Sequence, residues 1–279
     1  MKFTRRNFLR TVSLGFIAGS FTSGMSNGSS SEASQPETDL KLGMASYSFR
    51  QFSLDDALKM TNRLGLKHIA LKSMHLPYDL DESDLRFAAA RVRDAGLNLY
   101  GGGVIYMRSE EDVNQAFEYA RTAGFQVIIG VPGHELLNLI DQKVKEYDIK
   151  LAIHNHGPGD EQYPSPESVY TKVKDLDPRI GLCIDIGHTK RIGLKPAEQA
   201  LKYADRLHDI HIKDVDAPTA EGTTVEIGRG VIDIPKFLST LREIKYQGIV
   251  SLEYEKDADD PLPGSAESIG YLRGVLSVI

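Results

Sequence analysis

The sequence predicts a single (β/α)8 TIM barrel, and three observations predict it. About 240 residues remain once an N-terminal leader and linker are set aside, the usual size of one eight-fold barrel. Apolar runs begin near Leu40, Lys67, Leu97, Phe125, Ile149, Ile180, Asp209 and Gly248, and a beat of about thirty residues is one strand, one helix and two loops. The first run is followed by Tyr47-Ser48-Phe49-Arg50. It lacks the glycine-rich phosphate loop that an open doubly wound sheet places there.

Eight buried parallel strands are expected at Leu40–Ser46, Lys67–Ser73, Leu97–Gly102, Phe125–Val131, Lys150–Asn155, Ile180–Ile186, Asp209–Lys213 and Ile249–Tyr254. Helices lie between them. Ser53 is placed to cap the first, with Asp55 and Asp56 in its opening turn. Gly65, Gly96 and Gly124 stop the first three, and Ser165-Pro166 opens the fifth. The longest separation follows strand 7, where Asp216–Gly230 reads as an insertion.

Residues 1–38 are read as leader and linker, and 39–279 as the barrel. Thr4-Arg5-Arg6-Asn7-Phe8-Leu9-Arg10 precedes an apolar run from Val12 to Phe21, with no acidic residue before Glu32. That pattern is a twin-arginine export signal. The run is too short for a bilayer span, which takes roughly twenty residues, and no cysteine near it offers a lipid anchor. Residues 26–38 are a Ser-rich linker. The expectation is a periplasmic protein exported already folded, without a stable membrane anchor. One cysteine, Cys183, forbids an internal disulfide. The chain has 33 basic and 39 acidic residues; without Lys2, Arg5, Arg6 and Arg10 it has 29 against 39, or −10. An acidic body argues against nucleic acid as a partner.

Chemistry in this fold belongs to the C-terminal ends of the strands. His75, His154, His156, His188 and His211 fall at or just past such ends; His68 and His208 fall at strand starts, and His134 opens a helix. Alternation along Ala152-Ile153-His154, Cys183-Ile184-Asp185, Asp209-Ile210-His211 and Ser251-Leu252-Glu253 turns His154, Asp185, His211 and Glu253 into the barrel. Neighbouring strands are about 5 Å apart, so the four converge on one ion. Buried carboxylates need such compensation, and two carboxylates with two imidazoles suit Mn²⁺ or Zn²⁺. The bland alternative is a salt-bridge network through Lys72, Lys213 and Arg229.

Asp185-Ile186-Gly187-His188, His211-Ile212-Lys213-Asp214 and the Glu253 strand end resemble the xylose isomerase-like barrels, from the first strand to the last helix. The resemblance implies sugar isomerase, epimerase or dehydratase chemistry. It makes Asp185, His211 and Glu253 metal ligands and gives His188 a substrate hydroxyl or an outer-shell place. The departure is at strand 5, where the isomerases and epimerases carry a Glu that binds metal and shuttles a proton. Here stands His154, followed by Asn155-His156. An imidazole can bind metal and move protons, but an epimerase mechanism with one carboxylate on each face is put in doubt. Alternation points to His154 as the ligand, with His156 the alternative.

The expected function is metal-dependent abstraction of a proton α to a carbonyl of a keto-sugar or glycoside, by His154, His156, Glu253 or Lys72, through a stabilised enediolate. Reprotonation gives isomerisation or epimerisation. Loss of a β-substituent gives a lyase or dehydratase acting on a 3-keto-glycoside or inosose-like substrate. A non-catalytic sugar-binding barrel is the third reading. His75, His188, Lys213, Arg229 and Tyr47 are candidate substrate contacts. Tyr106 and Tyr163 are candidate stacking rings, and Glu255 is a candidate support. Gly101-Gly102-Gly103 is expected to make room for substrate or backbone. The partner is a small carbohydrate, and a homo-oligomer is compatible with the sequence.

Overall fold

The computed structural model describes residues 40–279. The leader and linker of the sequence reading lie outside the described residues. Eight parallel strands close a barrel: β1 (Lys41–Ala45), β2 (His68–Leu71), β3 (Asn98–Met107), β4 (Val127–Pro132), β5 (Lys150–His154), β6 (Ile180–Asp185), β7 (Leu207–Ile212) and, after a short antiparallel hairpin of β8 (Asp214–Val215) and β9 (Thr224–Val225), β10 (Ile249–Leu252). β10 pairs with both β7 and β1, which completes the ring.

The helices are α1 (Leu54–Arg63), α2 (Glu82–Asp94), α3 (Glu110–Ala123), α4 (Leu137–Tyr147), α5 (Pro166–Val173), α6 (Ile186–Arg191), α7 (Pro196–Lys202), α8 (Ile234–Glu243) and α9 (Leu262–Leu276). Their starts follow local chemistry. Ser53 accepts the Asp56 amide at the head of α1, Asp81 accepts that of Asp84 at α2, and Ser109 with Asp112 makes a reciprocal box at α3. Gly124 closes α3 at φ 81°, a left-handed position that only a residue without Cβ takes freely. Among the described residues no helix is long and apolar enough to cross a membrane.

The core has two parts, because each strand has two faces. Outward residues such as Ile69, Ile128, Ile153, Ile184, Ile210 and Leu252 pack under the helices. Inward residues Ala70, Tyr100, Val127, Ile129, Ala152, Cys183 and Ile249 fill the barrel itself. The residue two places beyond an inward one is inward again, one layer nearer the mouth. That step leads from Ala152 to His154, from Cys183 to Asp185, and by the same parity from Asp209 to His211 and from Ser251 to Glu253.

β3 departs furthest from the sequence expectation. β3 does not stop at Gly102 but runs to Met107, because β4 continues to pair with it through Met107↔Pro132 after a register shift. The glycines there make way for backbone: a Cβ at Gly103 would collide with the Ile129 carbonyl. The insertion after β7 is also ordered by one residue. Asp214 accepts the amides of Val215 (2.9 Å), Gly228 (3.0 Å), Gly230 (3.1 Å) and Ile232 (3.2 Å), folding the loop back onto the barrel.

Candidate metal centre

His154, Asp185, His211 and Glu253 each offer one donor atom, and the four atoms lie within 4.8 Å of one another. All four residues are buried. His154 Nε2 is 3.1 Å from His211 Nδ1 and 3.5 Å from Asp185 Oδ2; His211 Nδ1 is 3.2 Å from Glu253 Oε2. A tetrahedral zinc with bonds of about 2.0–2.1 Å holds its ligand atoms roughly 3.3–3.4 Å apart. The donor set therefore has the spacing and chemistry of a divalent-metal site.

Lys213 is the fully buried cation of this cluster. Its ammonium lies 2.7 Å from Glu253 Oε2, 2.9 Å from Asp185 Oδ2 and 3.0 Å from Glu255 Oε1. Burial alone would raise the Asp185 and Glu253 carboxyls, but Lys213 holds both well below the usual range. Burial would lower Lys213, and the same carboxylates keep it well above its ordinary value. Burial lowers His154 to about 3, so that imidazole is neutral near pH 7. Burial also acts to lower His211, but Glu253 beside it overcomes this and leaves it raised. Three carboxylates against one ammonium leave two negative charges when both imidazoles are neutral, and a dication cancels them.

Supports below and beside the cluster are the residues the sequence pattern did not mark. Asn155 accepts the Asp185 amide at 3.1 Å and donates to Thr189 at 3.3 Å, tying β5 to α6. Asp185 also caps α6 by accepting the His188 amide at 2.8 Å. Asp209, buried under His211 at 3.8 Å from its Nε2, is pushed up to about 7 by burial. Their signal is the polar residue one place after His154 and two places before His211.

The remaining candidates divide. His156 and His188 stand over the cluster: the His156 ring is 4.5 Å from that of His154 and 5.9 Å from that of His188. His156 meets the Tyr106 hydroxyl at 3.2 Å and the Asp160 carboxylate at 3.4 Å, and burial lowers its pKa. His188 Nε2 is 3.9 Å from Asp185, and its pKa is also lowered, by burial first. Lys72 is half-buried past the end of β2, with its ammonium 4.3 Å from the centre of the Tyr47 ring rather than in the cluster.

Three expectations are corrected. His75 does not face a substrate. It is buried, its ring bridging Ser46 Oγ (3.0 Å) to the carbonyls of Phe52 (3.1 Å) and Phe49 (3.2 Å), and it holds the turn after β1. Arg229 turns outward and grips Glu267 of α9 at 2.5 and 2.7 Å, because the Asp214-anchored loop leaves it on the surface. Tyr163 is fully buried, donating to the Pro132 carbonyl at 3.0 Å, and offers no stacking face.

A model of the xylose isomerase-like TIM barrel family matches residues 48–275. The chain belongs to that family. Among its relatives, an inosose dehydratase of Geobacillus kaustophilus is 30% identical over 129 residues, 40% of this chain and 41% of that protein. The chain spans about half the length of the curated relatives it matches. The fold is shared with a solved structure of the IolI protein with a bound zinc atom, at 20% identity and TM-score 0.71 over 85% of this chain and 98% of that one. It is shared also with 3-keto-D-glucoside 4-epimerase from E. coli, at 15% identity and TM-score 0.69 over 85% and 100%.

Proposed function

We propose that this protein is a metal-dependent enzyme that removes a proton α to a carbonyl of a keto-sugar or glycoside, with isomerisation or epimerisation as the outcome. The observation that carries the reading is the convergence of four buried donors, two carboxylates and two imidazoles, within 4.8 Å of one another. His154, Asp185, His211 and Glu253 would hold the ion, with Mn²⁺ and Zn²⁺ the first candidates. A divalent ion in that place supplies the positive charge that stabilises an oxyanion next to the carbon losing its proton.

The chain's own groups do the rest. Lys213 keeps Asp185 and Glu253 ionised and fixes their position through its three ion pairs. His156 is the group best placed to take the proton. It is neutral near pH 7, is held between Tyr106 and Asp160, and stands one ring away from His154. His188 is the second imidazole within reach of the same space and can return a proton or orient a hydroxyl. Export through the Arg5-Arg6 leader fits a keto-sugar or glycoside substrate better than a sugar phosphate.

A specific feature favours elimination as the second reading. Both buried carboxylates are tied to Lys213, and strand 5 supplies imidazoles where the isomerases and epimerases carry a Glu. The free bases thus come from one side of the site, which suits loss of a β-substituent as well as return of the proton. The likeness to an inosose dehydratase supports it.

The test is incubation of the metal-analysed full chain with 3-keto-glycosides and ketoses in D₂O, followed by NMR. Deuterium uptake that disappears on chelation supports the reading. Aglycone or water release selects elimination. Full turnover by metal-free protein sinks the metal mechanism, and the absence of exchange with every sugar favours a binding role.

A further inference from the structure

The barrel wall has a gap at its mouth. β2 ends at Leu71, paired with Gly102, while β3 continues for five more residues and pairs only with β4 on its other side. The β2-facing edge of Gly103–Met107 therefore has no strand partner among the described residues. Between this edge and the loop after β2 lies a cavity of about 230 Å³ lined by Ser73, Tyr78, Val104, Ile105, Tyr106 and Tyr119, with Leu71 and Gly103.

Its chemistry is uncharged and aromatic. No ionisable side chain other than tyrosine lines it. The hydroxyl of Tyr78 is spent on the Asp112 carbonyl at 3.1 Å and that of Tyr119 on the Leu76 carbonyl at 2.8 Å. These two rings stand 5.0 Å apart at 58° and have their rings, not their hydroxyls, to offer. Tyr106 is the link to the candidate centre, since its hydroxyl meets His156 and its side chain is 49% exposed. Size decides what fits: an apolar cavity of about 150 Å³ holds benzene, so this one holds a single substituted ring.

We propose that this slot binds the aglycone of a glycoside whose sugar lies at the candidate metal centre, and that the aglycone is an uncharged aromatic ring. The proposal rests on the sugar reading given above. Phenyl β-D-glucopyranoside, methyl β-D-glucopyranoside and phenol are unreactive probes that report on binding alone. Titrated against the full chain by NMR, the phenyl glucoside is expected to bind about tenfold more tightly than the methyl glucoside, the gain from burying one ring. Ser73→Trp fills the slot from its solvent side and should abolish that preference while leaving the methyl glucoside unchanged; Ile105→Trp is the second variant if the first fails to fold. Equal affinities in the wild type, or a preference that survives both variants, overturn the proposal. Phenol binding that the variants abolish, with no glucoside bound, keeps the aromatic slot and overturns its role as an aglycone site. No binding of phenol or of either glucoside overturns the proposal, and exchange with 3-keto-glycosides in D₂O decides the sugar reading separately.

Discussion

The two halves of the barrel mouth are built from different materials. β5, β6, β7 and β10 deliver His154, Asp185, His211 and Glu253, with Lys213 between them. β1 to β4 deliver no metal-ligating side chain to that cluster; β3 carries Gly101, Gly102, Gly103 and Tyr106 and ends in an edge unpaired on its β2 side. One half concentrates charge in a buried place, which is tolerated only because the charges are paired. The other half shapes a surface at little electrostatic cost. The difference teaches that changes in the polar half should strike turnover and stability, while changes in the tyrosine half should strike affinity and selectivity.

The largest expected effect is from Asp185→Asn, which removes one candidate ligand and one of the three carboxylates facing Lys213. Metal content should fall and kcat should drop on the order of 10²–10³-fold. Activity within tenfold of wild type, with metal retained, would break the assignment of chemistry to this half. Lys213→Met comes next. It leaves Asp185, Glu253 and Glu255 without their cation and should cost about 3–5 kcal/mol, or a thermal midpoint lower by about 10 °C. Added Mn²⁺ or Zn²⁺ should recover part of the loss, and an unchanged midpoint in chelator would refute the charge accounting.

Asp214→Asn sharpens the comparison within the polar half, because Asp214 organises backbone rather than substrate. Asn keeps one oxygen acceptor and turns the other into a donor, so two of the four amides lose their acceptor; this should cost about 1–3 kcal/mol and expose residues 216–230 to proteolysis, read as a cleavage rate. Tyr106→Phe tests the other half. It deletes one hydrogen bond to His156, worth about 1 kcal/mol, so KM should move while kcat changes less than about tenfold. A kcat collapse would mean that the tyrosine half takes part in the chemistry.

The smallest effect is a pH dependence away from the centre. Glu226 is held at about 2, mainly by its hydrogen bond to Lys256, against the upward push of burial. A depressed carboxyl contributes stability that is present above its unfolded value of about 4.3 and is lost as pH falls through the folded value. Thermal midpoints of wild type and Glu226→Gln, measured from pH 6 to pH 2, should converge at the acid end. A constant difference would show that the pair contributes nothing through its charge.

Much of this was legible in the sequence. The thirty-residue beat marked eight strands, and alternation turned His154, Asp185, His211 and Glu253 to one side, because a strand's period of two is a local property. The limits of β3 were not legible, since three glycines look like an ending until β4 is seen pairing beyond them. Nor were His75, Arg229 and Tyr163, each polar and in a loop that follows a barrel strand, each drawn off by a partner distant in sequence: Phe49 and Phe52, Glu267, and Pro132.

What the sequence by itself determined is the barrel and the set of inward donors, both fixed by periodicity along one chain. What only the tertiary structure decided is which charges share a space. The sequence offered Lys72, Lys213 and Arg229 alike as partners for the buried carboxylates; the structure brings Asp185 and Glu253, from the two strands flanking its own, within 3 Å of the Lys213 ammonium alone. Charge pairing depends on distance through space, and only the closed barrel sets that distance.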